Sequence, residues 1–158
     1  KTSPIIEALG DLDELNSFIG MVRSNAEDDG LNEKLKNVQE TLFIIQARVA
    51  WIMFPEYEEK KLSKGKITAL EKEIDEIEEK IQPERGFIIS GENAVSARLD
   101  YVRAVSRRAE RKIDTLHKAH ELPEEILAYM NRLSSYFYAL ARNEIHQHHI
   151  TEQRPTYE

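Results

Sequence analysis

The stretch LNEKLKNVQETLFIIQARVAWI, residues 31–52, sets Leu31, Leu35, Val38, Leu42, Ile45, Val49 and Ile52 at alternating steps of four and three. At about 100° per residue such steps stack on one face of an α-helix, and no β-strand period of two fits them. Pro55 ends the helix, because the residue before a proline is pushed out of helical geometry. Upstream, Leu9, Leu12, Leu15, Ile19 and Val22 repeat the pattern, with Asp11 and Glu14 spaced as an N-cap and its capping-box partner. Gly30 and Asn32 break the chain between the two.

Downstream, Ile67, Leu70, Ile74, Ile77 and Ile81 predict a third helix that Thr68 and Glu71 could cap and that stops at Pro83. Residues 83–93 carry Gly86 and Gly91 around Phe87, Ile88 and Ile89, a structured loop with residues of the buried type. A fourth helix runs from about Ala94 to Lys118, and a fifth starts at Pro123, followed by Glu124 and Glu125. The connection between these last two is short enough to favour antiparallel neighbours. The expected fold is all-α, an up-and-down five-helix bundle forming one domain over residues 1–158, and Trp51 and Phe54 are assigned to its core.

Composition agrees. Of 158 residues, 41% are hydrophobic and 32% charged, enough for one core and too mixed in sign for an acidic disordered tail. Six glycines and five prolines supply too few turns for a β-sandwich or barrel. The absence of cysteine excludes disulfides, Cys-ligated metal and thiol nucleophiles. A net charge of −7, from 22 basic and 29 acidic residues, speaks against duplex nucleic acid as a partner. No run of about 18 apolar residues could span a membrane. These features fit a soluble, cytoplasmic protein. The chain opens on Lys1 rather than methionine, which points to a longer natural N-terminus.

The fourth helix carries two patterns. Leu99, Val102, Val105, Ala109, Ile113 and Leu116 form its apolar face, while Asp100, Arg103, Arg107, Glu110 and Asp114 follow a separate charged stripe that Arg111 flanks. Arg108 lies off this stripe. The stripe is either a solvated face laced with weak ion pairs or a row of guanidinium groups for a polyanion, whose oxygens their planar forks can grip bidentately. On the fifth helix, Asn131, Ser135, Tyr138 and Arg142 lie opposite the apolar Ile126, Met130, Leu133, Phe137 and Leu140. They form a possible second wall, with Asp13 and Glu14 as available partners. A carboxylate metal site would want Glu-x-x-His pairs, and none occurs. His146, His148 and His149 are assigned to solvent.

Three blocks now resemble something known. They are Gly10-Asp11-Leu12-Asp13-Glu14-Leu15-Asn16-Ser17, then Arg103 to Arg111, then Asn131-Arg132-Leu133-Ser134 through Ala141-Arg142. In this order they resemble the signatures of the ATP:cob(I)alamin adenosyltransferases, a family of trimeric five-helix bundles. The resemblance implies a homotrimer with sites between subunits. It implies ATP and reduced cobalamin as substrates, Mg²⁺ as the ion accompanying ATP, and a cobalamin reductase and an adenosylcobalamin-dependent enzyme as further partners. It also resolves the missing nucleophile: Co(I) of the substrate attacks, and the protein supplies position and charge compensation.

By the same resemblance, Arg107 and Asn131 match ATP contacts, with Arg108, Glu110 and Arg111 in the same cluster. Asp13 and Arg103 match an intersubunit salt bridge that shapes the site. Phe87 resembles the residue that covers the lower corrin face and displaces the axial ligand of cobalt. Lys1 resembles the lysine closing the Thr-Gly-Asp-Gly-type triphosphate loop, which would precede it. The chain departs from the family at Ile88-Ile89-Ser90-Gly91-Glu92, where a Pro-Gly-Gly is usual, at Asp100 in place of a common His, and at Ser135 in place of an Asp. Those departures motivate an alternative, a non-catalytic trimeric carrier of cobalamin or nucleotide.

Overall fold

The computed structural model describes residues 3–83 and 86–158, and among them five α-helices and no strand. They are α1 (Pro4–Arg23), α2 (Asp29–Trp51), α3 (Lys64–Ile81), α4 (Ala94–His120) and α5 (Glu124–Gln147). Their starts follow local chemistry. Extended Ser3 precedes Pro4, whose fixed φ suits the first turn, so α1 begins earlier than the Asp11 cap predicted and holds Asp11 and Glu14 in its interior. The Asp28 carboxylate accepts the Gly30 N–H at 2.8 Å, and the Asn93 side chain accepts the Ser96 N–H at 2.7 Å. Likewise α3 starts after Ser63, not at Thr68, and Pro123 stands just before α5 rather than inside it. Left-handed Gln82 and Glu121, each at φ 44°, close α3 and α4.

Interhelical pairs give the topology. Glu7 with Lys112, Glu14 with Arg108 and Phe18 with Tyr101 run α1 antiparallel to α4. Glu110 with Asn131 and Asp100 with Arg142 run α4 antiparallel to α5. Glu71 with Arg132, Glu73 with Tyr136 and Lys80 with Asn143 set α3 parallel to α5. Asn32 beneath Arg23 and Gln39 beneath Asn16 return α2 along α1. The result is an up-and-down bundle in the spatial order α2, α1, α4, α5, α3.

The core contains Leu12, Leu15 and Ile19 of α1, Leu35, Leu42 and Ile45 of α2, Leu99 and Ile113 of α4, and Tyr136 and Phe137 of α5, all at most 1% exposed. Burial of each is worth about 1.5–3 kcal/mol. Glu73 ties three helices together, accepting from Lys34 Nζ at 2.5 Å and from the Tyr136 hydroxyl at 2.7 Å. Burial pushes the Tyr129 phenol up to about 12, and burial with the Glu73 hydrogen bond pushes Tyr136 well above the ordinary range. Trp51 and Phe54 lie outside this core. Phe54 is 49% exposed, and the half-buried Trp51 takes the Arg48 guanidinium over its ring at 4.9 Å.

Candidate functional site

The charged residues of α4 fall into three groups. Glu110 is only 6% exposed, although it belongs to the polar repeat, because α5 packs over it. Its two oxygens take one hydrogen bond from each side: Arg107 Nη1 donates at 2.8 Å and Asn131 Nδ2 at 2.7 Å. A carboxylate is an acceptor only, so this pairing fixes the Asn131 amide and aims half of the Arg107 guanidinium outward. Arg107 remains half exposed, and Arg111, one turn further on, is exposed and makes no ion pair among the described residues.

Two shallow depressions flank this cluster along the α3, α4 and α5 face. One of about 370 Å³ is lined by Glu71, Glu110, Asp114, Leu127, Asn131 and Arg132. The other, about 260 Å³, is lined by Glu78, Arg103, Arg107, Ser134, Ser135 and Tyr138. Arg132 holds Glu71 at 2.9 Å across the first. Sequence periodicity predicted the α4 and α5 walls; α3 is the third, contributing Glu71 and Glu78.

Arg108 is elsewhere. One residue along a helix turns the side chain by about 100°, and Arg108 accordingly faces α1, donating to Glu14 and lying 3.7 Å from Asp11. Glu14, one of the two acidic residues expected to face the arginine stripe, therefore neutralises its neighbour instead, and Arg108 does not join the Arg107 cluster. Asp13 is exposed and makes no ion pair among the described residues. Arg103 lies 3.7 Å from Asp100 in its own helix, so the structure does not bring Asp13 and Arg103 together within one chain. Lys1 lies outside the described residues.

The third group is buried. Asp100, 6% exposed, accepts from Arg142 Nη2 at 2.7 Å, and Arg142 is itself 5% exposed. The Arg142 guanidinium also stands 2.7 Å from a Glu152 oxygen and 5.0 Å from the Tyr138 ring centroid. Burial, and the neighbouring Asp100 charge, push the Glu152 carboxyl up from its ordinary value, against the pull of Arg142. Asp100 and Arg142 were expected on open polar faces and form an interior pair instead. Phe87, of a residue type usually buried, is 78% exposed in its loop, between Gly86 at φ 131° and Gly91 at φ 128°. His146, His148 and His149 are exposed, as assigned. No described helix is long and apolar enough to cross a membrane.

The profile of the cobalamin adenosyltransferase family matches residues 1–144. The corrinoid adenosyltransferase PduO of Citrobacter freundii is 37% identical over 150 residues, which cover 94% of this chain and 45% of that protein. The chain spans less than half the length of the PduO proteins it matches. The corrinoid adenosyltransferase of Bacillus subtilis is 34% identical over 146 residues, covering 90% of this chain and 75% of that one. A variant PduO-type ATP:corrinoid adenosyltransferase from Lactobacillus reuteri, complexed with cobalamin and ATP, superposes with a TM-score of 0.90 at 27% identity, over 98% of this chain and 84% of that one. The chain belongs to the cobalamin adenosyltransferase family.

Proposed function

We propose that the protein transfers the 5′-deoxyadenosyl group of ATP to the cobalt of cob(I)alamin, giving adenosylcobalamin and triphosphate. The observation that carries this is the buried Glu110 carboxylate, which holds Arg107 and Asn131 from two helices at one point on the α4 and α5 face. In the reaction the electron pair of Co(I) forms the cobalt–carbon bond as the C5′–O bond breaks, and its electrons leave on the triphosphate. No side chain has to act as nucleophile. Arg107, preset by Glu110 and half free, meets the charge that grows on the leaving oxygens without reorganising. Asn131 orients the nucleotide, and Arg111 adds positive charge one turn away.

The depressions of about 370 and 260 Å³ stand near or below the roughly 300–1,000 Å³ of ordinary ligand sites. That shallowness supports a site completed by another subunit of a homotrimer, where Asp13 of one chain could reach Arg103 of the next. Phe87, exposed on its loop, covers the lower corrin face and keeps an axial ligand off cobalt; its apolar ring offers no donor of its own. The nearby carboxylates do not make a cage for Mg²⁺: Glu110 is held by Arg107 and Asn131 and Glu71 by Arg132, and no cluster of metal-ligating side chains occurs among the described residues. Mg²⁺ would arrive on the phosphate oxygens of ATP.

Incubation of the full-length protein with ATP, Mg²⁺ and chemically reduced cobalamin should yield the adenosylcobalamin absorption spectrum. The Arg107→Ala protein should lose about 100-fold or more in rate, as for other groups that meet charge in a transition state. Undiminished activity in that protein would refute the role given to Arg107. Tight binding of cobalamin or ATP without triphosphate release would leave the carrier reading in its place.

A further inference from the structure

Phe87 stands on an irregular segment whose half-buried Ile88 shares a depression with Ile81 of α3 and Arg142 and Ile145 of α5. Residues 86–92 have no regular structure, Phe87 and Ile89 are both exposed, and glycines with positive φ lie at 86 and 91. The C-terminal tail reaches this segment: the Ile89 N–H donates to the Gln153 carbonyl at 2.9 Å. The Arg154 guanidinium also lies 3.7 Å from where a side chain on Gly86 would start. The tail itself has no secondary structure after α5. Its anchor is Glu152, the residue beside Gln153, whose carboxylate stands 2.7 Å from Arg142 Nε. Arg142 is in turn locked to Asp100 at 2.7 Å, and Asp100 faces Arg103 of the arginine stripe at 3.7 Å.

We propose that Asp100, Arg142 and Glu152 are positioning residues that set Phe87 against the lower face of a bound corrinoid by pinning the C-terminal tail to the Phe87 segment. This rests on the role given to Phe87 above. The chain of contacts runs from α4 through α5 to the tail and across one backbone hydrogen bond to a residue two positions from Phe87. A buried guanidinium suits the hub because its charge is permanent: Nη2 donates to Asp100 while the Glu152 carboxylate is held beside Nε as an ion pair. Asp100, one of the departures from the family pattern, thereby acquires a role that joins the arginine stripe to the corrin side of the site.

Arg142→Ala would strip the buried Asp100 of its hydrogen-bonded partner, leaving only Arg103 at 3.7 Å, and endanger the fold, so the partly exposed Glu152 carries the test. Glu152→Ala, Glu152→Gln, Phe87→Ala and the double Glu152→Ala, Phe87→Ala proteins are compared with the parent. Glu152→Ala should raise KM for cobalamin roughly tenfold, as for a small misplacement of a binding group, and leave KM for ATP within about twofold. The optical spectrum of bound cob(II)alamin should shift toward the species that keeps its lower axial ligand. In the ligand-free protein the Ile89 amide should exchange its hydrogen faster. Glu152→Gln, which keeps the shape and an acceptor, should recover part of each effect, and the double variant should match Phe87→Ala alone.

The proposal is overturned if Glu152→Ala leaves cobalamin KM and spectrum unchanged while Phe87→Ala alters both. It is equally overturned if the two substitutions add, or if ATP binding suffers as much as cobalamin binding. A Phe87→Ala protein with an unaltered spectrum would instead sink the role of Phe87, and the proposal with it.

Discussion

Arg107 and Asn131 sit on adjacent helices with a buried carboxylate between them, whereas Phe87 sits on an irregular segment held through a tail that starts more than 50 residues later in the chain. In the first region the backbone is fixed by helix hydrogen bonds and only side-chain direction remains to be set, which one acceptor does for two donors. In the second the backbone itself has to be placed, and a hydrogen bond from Ile89 to the distant Gln153 helps to do so. Groups that meet developing charge need fixed dipoles. A group that slides over the face of a large ring can stand on a loop whose support is remote.

Removing the shared acceptor is the strongest way to break this contrast. Glu110→Ala should release Arg107 and Asn131 together and lower kcat/KM for ATP by about 100-fold, the worth of two hydrogen bonds to a charged group, while the cob(II)alamin spectrum stays as in the parent. A parallel loss of the spectrum would show that the two regions are not separately held.

Alkaline pH probes the helical frame alone. Tyr129 is held neutral to about pH 12 in the folded chain but ionises near pH 10 when unfolded, so its contribution is complete below pH 10 and is lost as pH rises through about 12. Urea titrations across that window should show stability falling in the parent, with Tyr129 accounting for about 3 kcal/mol and Tyr136 adding a loss of the same sign, and a shallower fall in Tyr129→Phe. Identical slopes would remove Tyr129 from the account.

Asn93 stands where the two regions meet, capping α4 through Ser96 and donating to Glu144 at 3.2 Å just beyond the Phe87 segment. Asn93→Ala should cost about 1 kcal/mol, measured as a lower urea midpoint with an unchanged slope.

The same contrast explains what the sequence made legible. The alternating threes and fours of α2 and the apolar face of α4 required nothing beyond local periodicity, and the blocks around Asp13, Arg107 and Asn131 carried the family resemblance. Burial of polar residues was less visible. Asp100 and Glu110 follow the charged repeat, and only the approach of α5 covers them. Arg108 falls off the stripe by its spacing and joins the Arg107 cluster only by the family resemblance; Glu14 of α1 claims it, a pairing 94 residues apart. The start of α1 was missed although Ser3-Pro4 signals it, because the Asp11 and Glu14 spacing offered a competing cap. Glu152 and Gln153 lie in a tail without period or motif, where nothing local announces a contact with residue 89.

The seam between α1 and α4 also bears on how the chain is made. Leu12, Leu15 and Ile19 are covered partly by α4, whose facing residues leave the ribosome some 80–100 positions after them. At about 5–20 residues per second that interval lasts roughly 4–20 s, during which α2 alone shields the apolar stripe. The bundle is thus exposed to chaperones and to sticking between nascent chains at its first helix, and a slow codon run before α4 would lengthen the hazard without altering a single residue.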